Sequence, residues 1–226
     1  MYILRGRIRI SIVNMANISY GREIMETKLM DLVQEINGGQ IMSRVSYKDD
    51  EEKDPGALKA RVLVPSAISG GVVHHGNLGT ADLKKEVSEK RITKCGDIVI
   101  KLSSPYDCGL ITEEDENLII PSFCAIIRRI DQSRVYDKYL LGFMNSHYSM
   151  TKLLAGVNTT AMAMVRTASL QALPVLLLPM EEQIVIGDAY WESCKRKRLL
   201  EQMVNKQQEI SDAIIQEALR EASKNA

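Results

Sequence analysis

Residues 170–187 read L-Q-A-L-P-V-L-L-L-P-M-E-E-Q-I-V-I-G, and this stretch decides how the chain is organised. The apolar run at residues 173–178 is bounded by prolines and predicts a final short strand. Pro179 then fixes the start of a helix. Glu181 and Glu182 fall in its first turn, where carboxylates interact favourably with the positive end of the helix dipole. We therefore predict that a globular domain ends here and a helix begins.

The residues after this junction predict one long helix. Neither glycine nor proline follows Gly187, and strong helix formers dominate through about Ala222. At about 1.5 Å per residue the helix is roughly 60 Å long. A domain of about 180 residues is only about 40 Å across, so the length favours a helix that extends beyond its domain over one that lies on it. A 3,4,3,4 spacing predicts a seam for a partner helix, formed by Leu200, Met203, Gln207, Ile210 and Ile214.

Composition excludes several classes of protein. The 226 residues allow one sizeable core plus an appendage. Lysine and arginine balance aspartate and glutamate at 29 each, so bulk positive charge does not hold a nucleic acid. The four cysteines fall at no metal-ligand spacing, which fits a reducing compartment. The amino-terminal residues form no continuous apolar segment, and no apolar run is long enough to span a bilayer. We expect a cytoplasmic protein without a signal peptide or membrane segment.

Upstream of the junction, the hydrophobic pattern predicts a mixed sheet with helices. Residues 7–13 alternate and predict a strand, whereas residues 23–36 have helical spacing and predict a short helix stopped by Gly38-Gly39. Helical spacing returns at residues 136–155. The fold class is thus α/β, with a mixed-sheet domain over residues 1–180 and one long helix over 181–226. Short runs rich in valine and isoleucine predict further strands at 61–64, 96–102, 118–120 and 123–129.

The junction resembles the element that ends a target recognition domain in specificity subunits of type I restriction-modification systems. That family's pattern is L-x-x-L-x-I-x-L-P-P-L-x-E-Q-x-x-I. Leu178 stands where the family has its first proline and Met180 where it has leucine. The fixed points of the pattern match Pro179, Glu182, Gln183 and Ile186.

Other segments agree with the same family in order and distance. Residues 94–99 resemble its G-D-(I/V) strand, and residues 140–146 followed by Gly156 resemble its L-x-x-x-L-N-S…G segment. Residues 16–21 are similar to the approach to the first DNA-facing loop, in degenerate form. The resemblance covers nearly the whole chain and is most specific after Gly96.

The resemblance implies a half-length specificity subunit, because complete members carry two recognition domains and two helices and this chain has one of each. It implies DNA binding without catalysis or a cofactor, at a bipartite site on double-stranded DNA, and recruitment of methyltransferase and endonuclease subunits. In the family the long helices run antiparallel, so we expect a homodimer held by an antiparallel coiled coil. Its contacts are expected at Leu200, Met203, Ile210 and Ile214.

Polar residues that follow strands or lie in glycine-flanked loops are the candidates for DNA contact, because such loops bring donors to base edges. The first loop offers Lys101, Ser103, Ser104 and Tyr106. The second offers Asn158, Thr159 and Thr160, and Arg22 is the candidate phosphate contact.

Two other classes of function stay open. The first is an interaction protein, either a truncated copy that occupies the methyltransferase subunit or an inert recombination cassette. The second is a fragment of a fused methyltransferase-nuclease, since residues 103–106 (S-S-P-Y) resemble the tetrapeptide of adenine methyltransferases. The missing first proline and the missing glycine-rich cofactor loop favour a plain loop there. The basic run at residues 195–198 is interpreted as a solvated helix face or a docking patch for a partner subunit.

Overall fold

The structure is a computed structural model that describes residues 25–48, 51–155 and 164–224. Its strands are β1 (Met25–Lys28), β2 (Val33–Gly38), β3 (Leu58–Val62), β4 (Ile68–Ser69), β5 (Val72–Val73), β6 (Gly79–Leu83), β7 (Ile98–Lys101), β8 (Cys108–Leu110), β9 (Cys124–Ile130) and β10 (Pro174–Leu177). Its α-helices are α1 (Asp137–Met144), α2 (His147–Leu154), α3 (Thr167–Gln171) and α4 (Met180–Lys224).

The strands form one four-stranded sheet in the order β2-β9-β7-β8 and three two-stranded sheets, β1-β10, β3-β6 and β4-β5. Every pair of these strands runs antiparallel. Parallel pairing appears as isolated bridges between residues of the loops and strand ends. The predicted α/β class is confirmed. The parallel bridges join Gln40 to Pro121, Val62 to Ile119 and Gly71 to Gly109.

The two central strands are buried on both faces. Ile98 and Ile127 point into the core that the helices cover, whereas Val99 and Ile126 belong to a second core on the opposite face. A strand buried on both faces reads as a continuous apolar run, so residues 96–102 and 123–129 were identifiable as strands from the sequence, and both predictions are confirmed. The strand predicted at residues 61–64 overlaps the end of β3. Residues 118–120 form isolated bridges at Ile119 instead of a named strand.

The helix predicted over residues 23–36 is wrong. The described part of this stretch forms β1, a short 3₁₀ turn and β2. Several of its apolar residues are buried, and Leu29 and Leu32 are fully buried, whereas Met25 and Met30 are exposed. Leu29 and Leu32 reach the core because β1 pairs with β10 and β2 pairs with β9, strands that lie about 150 and about 90 positions further along the chain. The strand predicted at residues 7–13 lies outside the described residues.

The long carboxy-terminal helix is confirmed as α4. Its first turns lie on the domain, where Gln183, Gly187 and Cys194 are buried against α1, the residues just before it and the β4-β5 turn. From Leu199 to Lys224 every residue is exposed except Glu201 and Ser211, which are half-buried, so this exposed portion extends away from the domain as the length predicted. Among the described helices, none combines the length and apolar character needed to cross a membrane.

Candidate nucleic-acid interface

Four segments meet along one side of the domain, and backbone hydrogen bonds join them side by side. The N–H of Ser122 donates to the carbonyl of Gln40, that of Leu102 to Phe123, and that of Val165 to Leu102, each at 2.8 Å. Main-chain bonds of this kind fix position whatever the side chains are. We call this feature the four-segment edge; it comprises residues 40–44, 102–106, 121–123 and 164–166.

The four-segment edge contains no aspartate or glutamate. Arg44 and Arg166 are exposed on it. Three apolar side chains are also partly in solvent: Ile41, Phe123 and Met164 expose 41%, 52% and 42% of their surface. In a chain with equal numbers of acids and bases, four adjoining segments with two exposed arginines and no acidic residue of their own favour a polyanionic ligand.

Gly39 makes the edge possible. A Cβ atom at this position would clash with the carbonyl oxygen of Pro121 and would lie 2.8 Å from that of Ile120. A Cβ at the neighbouring Gly38 would have only the Thr167 hydroxyl oxygen near it, at 4.0 Å. The Gly38-Gly39 pair was predicted as a helix stop, but the structure uses only Gly39, which allows a close approach of two backbones.

The structure places the first predicted DNA-contacting loop on this edge. Ser103 and Ser104 follow β7, and Ser104 is exposed. Tyr106 is largely buried and has a left-handed backbone, with φ of 59°. Lys101 lies at the end of β7 with its Nζ atom 2.8 Å from Asp107, and its side chain is only 7% exposed. These four residues stay predictions, and Lys101 would have to leave its ion pair to reach a base.

The second predicted loop, with Asn158, Thr159 and Thr160, lies outside the described residues, and so does Arg22. The chain is described again from Met164, and Val165 is bonded to Leu102. Sequence reasoning did not identify the exposed side chains of Ile41, Arg44, Phe123 and Arg166. No motif marks them, and Phe123 was assigned to the start of a strand.

The cysteine that adjoins the edge is fully buried. Cys124 follows Phe123, and burial raises the pKa of its thiol to about 12, against a smaller opposing effect of Lys101. The thiol is therefore protonated at neutral pH and is not a nucleophile. Within the described ranges, no group of three or more histidine, cysteine, aspartate or glutamate side chains is arranged to hold a metal ion.

The residues that carried the family resemblance are occupied in holding the fold. Asp97 forms a bidentate pair with Arg128, with Nε to Oδ1 at 2.9 Å and Nη2 to Oδ2 at 2.6 Å. Both side chains are over nine-tenths buried, and the hydrogen bond raises the pKa of Arg128. Gly96 has φ of +84°, a left-handed conformation that glycine adopts without strain. The G-D pair thus turns the chain and locks β7 to β9.

Asn145 and Gln183 act in the same way. The Asn145 amide accepts from the N–H of Cys108 at 2.8 Å and donates to its carbonyl at 3.1 Å, which ties α1 to β8. Gln183 accepts from the N–H of Tyr136 at 2.9 Å and donates to the carbonyls of Leu178 at 2.8 Å and Arg134 at 3.2 Å. Each side chain satisfies backbone groups that helices or strands leave unpaired. The junction glutamine therefore fixes the direction in which α4 leaves the domain.

Several solved structures have a similar fold, and two of them belong to type I restriction-modification systems. The crystal structure of the HsdS subunit from Thermoanaerobacter tengcongensis has a TM-score of 0.57 and 15% identity, over 89% of this chain and 49% of that chain. The chain has the fold of a type I specificity subunit. A second structure, solved to explain complex assembly and conformational transition of the type I R-M system, gives a TM-score of 0.58 and 15% identity, over 89% of this chain and 50% of the other.

The resemblance to specificity subunits read from the sequence is thus confirmed for the fold. The chain spans about half the length of the matched chain in each of these two structures. No family model matches the chain, and no curated protein sequence matches it.

Proposed function

We propose that this chain is a half-length specificity subunit that recognises DNA sequence and directs methyltransferase and endonuclease subunits to a bipartite site. The observation that carries the proposal is the four-segment edge, which is acid-free, bears two exposed arginines and is held by main-chain bonds on a specificity-subunit fold. A rigid surface with hydroxyl donors and cations is what base and phosphate contacts require.

The base-reading residues in this proposal are the predicted ones, with additions from the edge. Ser103 and Ser104 present hydroxyl groups beside Tyr106, and Asn158, Thr159 and Thr160 contribute from the second loop. Lys101 is retained as a contact that depends on release from Asp107. Arg22 contacts phosphate, and Arg44 and Arg166 are added for the same role because they are exposed on the edge.

The proposed assembly is a homodimer through the exposed portion of α4. Leu200, Met203, Ile210 and Ile214 expose 61%, 68%, 53% and 65% of their surface, an apolar stripe on a helix that has left its domain. Burying these four side chains contributes several kcal/mol, at about 1.5 to 3 kcal/mol each, before the cost of association. Two-fold symmetry then requires two identical half-sites in inverted orientation. The proposed target is an interrupted palindrome.

The charges of α4 favour an antiparallel arrangement of this pair. Residues 195–198 are all basic, whereas residues 209–224 carry an acidic excess, with Glu209, Asp212, Glu217 and Glu221 against Arg220 and Lys224. Antiparallel helices bring the basic part of each next to the acidic part of the other, and parallel helices bring like charges together.

Selection from a random duplex library tests the proposed function. The full chain should enrich an inverted repeat with a spacer of constant length. The Gly38→Ala variant should enrich the same motif, whereas Gly39→Ala should lose it because the added methyl group displaces the Pro121 turn. Binding of the chain to methyltransferase subunits without any enriched motif would favour the interaction-protein alternative instead.

Two further variants separate the roles proposed for the loops. Substitution of Asn158 should relax the preferred sequence, since this side chain is proposed to read a base. Arg22→Ala should weaken binding to all duplexes alike and lower the salt slope by about one, as loss of one phosphate contact does. The chain alone should neither methylate nor cleave DNA in the presence of S-adenosylmethionine, magnesium and ATP. Methyl transfer abolished by a Tyr106 substitution would favour the methyltransferase alternative.

A further inference from the structure

The chain has two phenylalanines, and they occupy opposite environments. Phe143 lies in the core, where it packs against Tyr139 and Tyr148. Phe123 exposes 52% of its surface at the tip of a tight turn. Isolated exposed apolar residues are common on protein surfaces, so exposure alone assigns no role to Phe123. The role of Phe123 is inferred from the turn that carries it and from the residues around it.

Main-chain hydrogen bonds hold the turn that carries Phe123 on each side. The N–H of Cys124 closes the turn onto the Pro121 carbonyl at 2.9 Å, and the Cys124 carbonyl accepts from Gly39 at 2.9 Å. The Phe123 carbonyl accepts from Leu102 at 2.8 Å. The ring is thus presented from a fixed backbone, and the turn does not depend on the ring for its conformation.

The surroundings of Phe123 favour a nucleic acid over a protein partner. The residues bonded to its turn belong to the acid-free edge, with the exposed Ser104 on the adjoining loop and Arg166 next to Val165. Leu58, which is 70% exposed on β3, offers a contrast, because the neighbouring pair in its two-stranded sheet is Lys59 opposite Asp82. An aromatic ring flanked by hydroxyl groups and cations suits DNA. The faces of the bases and the methyl group of thymine are apolar, and the phosphate backbone beside them is anionic.

We propose that Phe123 packs against a base of the DNA target and sets the preference at one base pair of each half-site. This assignment rests on the proposed DNA-recognition function. It differs from the hydrogen-bonding contacts assigned to the two loops, because a neutral ring neutralises no phosphate and contributes only where base meets side chain.

The test compares Phe123→Ala, Phe123→Leu and Leu58→Ala with the unmodified full chain. Each is measured on the duplex that the unmodified chain selects from a random library and on an unrelated duplex of equal length. Phe123→Ala should melt at an unchanged temperature, bind the selected duplex about tenfold more weakly, and bind the unrelated duplex with unchanged affinity and salt dependence. Repeating the selection with Phe123→Ala should give a motif relaxed at one position per half-site. Phe123→Leu should retain most of the affinity, and Leu58→Ala all of it.

An unchanged motif and affinity in Phe123→Ala, or an equal loss on both duplexes, would overturn the assignment and leave the proposed function standing. Failure of the unmodified chain to select any motif would overturn the proposed function together with this assignment.

Discussion

The two portions of α4 are built from similar helix-forming residues but contact different surroundings. Residues 180–198 form the anchored portion, in which the buried positions are Gln183, Gly187 and Cys194. The Gln183 amide is hydrogen-bonded to the domain, and the other two residues are small. In residues 199–224 the large apolar side chains expose 53% to 68% of their surface. The first portion therefore contacts the domain through the Gln183 amide, the close approach at Gly187 and the packing of Tyr190 and Trp191 against the core, whereas the large apolar side chains of the second portion are available for contact with another chain. An apolar stripe along a helix does not by itself show whether it contacts its own domain or another chain.

The largest expected effect is on the exposed portion. Changing Met203 and Ile210 together to glutamate places charges in the proposed seam, so the homodimer should dissociate completely. Light scattering should report monomers, and binding to a duplex with two half-sites should be lost. The same charge added outside the seam, in Gln208→Glu with Gln216→Glu, should leave a dimer. A Met203/Ile210 double variant that stayed dimeric would contradict the assignment of this portion to interchain contact.

The anchored portion responds to a different substitution. Gln183→Leu keeps the side chain large but leaves the N–H of Tyr136 and the carbonyls of Arg134 and Leu178 without their partner. We expect a loss of about 3 kcal/mol in the free energy of unfolding, measured by urea denaturation. Gln208→Leu makes the same change on the exposed portion and should cost less than about 0.5 kcal/mol. Equal losses in the two variants would remove the distinction between the portions.

A charge exchange refines the geometry of the exposed portion. The seam is centred on Gln207, so antiparallel helices bring Lys197 of one chain to Glu217 of the other, each ten positions from the centre. Glu217→Lys should weaken the dimer by up to about 1 kcal/mol, as for other exposed ion pairs. Adding Lys197→Glu should restore it. Sedimentation at several concentrations measures both, and a double variant weaker than the single one would contradict the antiparallel register.

The smallest effect concerns an exposed ion pair on the anchored portion. Asp188 accepts hydrogen bonds from Lys138 at 2.7 Å and Tyr136 at 2.9 Å, which lower its pKa below the ordinary 3.8. A carboxylate with a lowered pKa stabilises the folded state above the unfolded pKa, and this contribution is lost as the pH falls through the folded one. Asp188→Asn should therefore melt below the unmodified chain at pH 7, and the difference should shrink below about pH 4. A difference that grows in acid would be inconsistent with this pair.

The sequence predicted the parts of the fold that local pattern determines. The junction, α4 and the two central strands were all identifiable from proline position, helix formers or continuous apolar runs. Residues 23–36 were predicted wrongly, because Leu29, Leu32 and Ile36 satisfy helical spacing and also the strand-turn-strand that pairing with β9 and β10 produces. Pairing with strands so far along the chain cannot be read from the hydrophobic pattern of the stretch itself.

The candidate site was predicted in part for a related reason. A polar loop after an apolar strand is visible in sequence, and Ser103 and Ser104 do lie on the four-segment edge. The exposure of Phe123 was not visible, since a phenylalanine that precedes a buried strand resembles part of that strand. The family motif residues Asp97, Asn145 and Gln183 identified the fold from the sequence. Their hydrogen bonds are made within the domain, so they did not indicate where the candidate site lies.

The way the four-segment edge is held together has an evolutionary consequence. Its segments are joined through main-chain atoms, so the exposed side chains at positions 41, 44, 104, 123 and 166 can be exchanged without loss of those bonds. Recognition is therefore free to drift by point substitution while the domain keeps its shape. Gly39 is excluded from that freedom, because any larger residue meets the Pro121 carbonyl, whereas the adjacent Gly38 tolerates a methyl group. In a saturation scan two neighbouring glycines should thus show opposite tolerance, one invariant and one permissive.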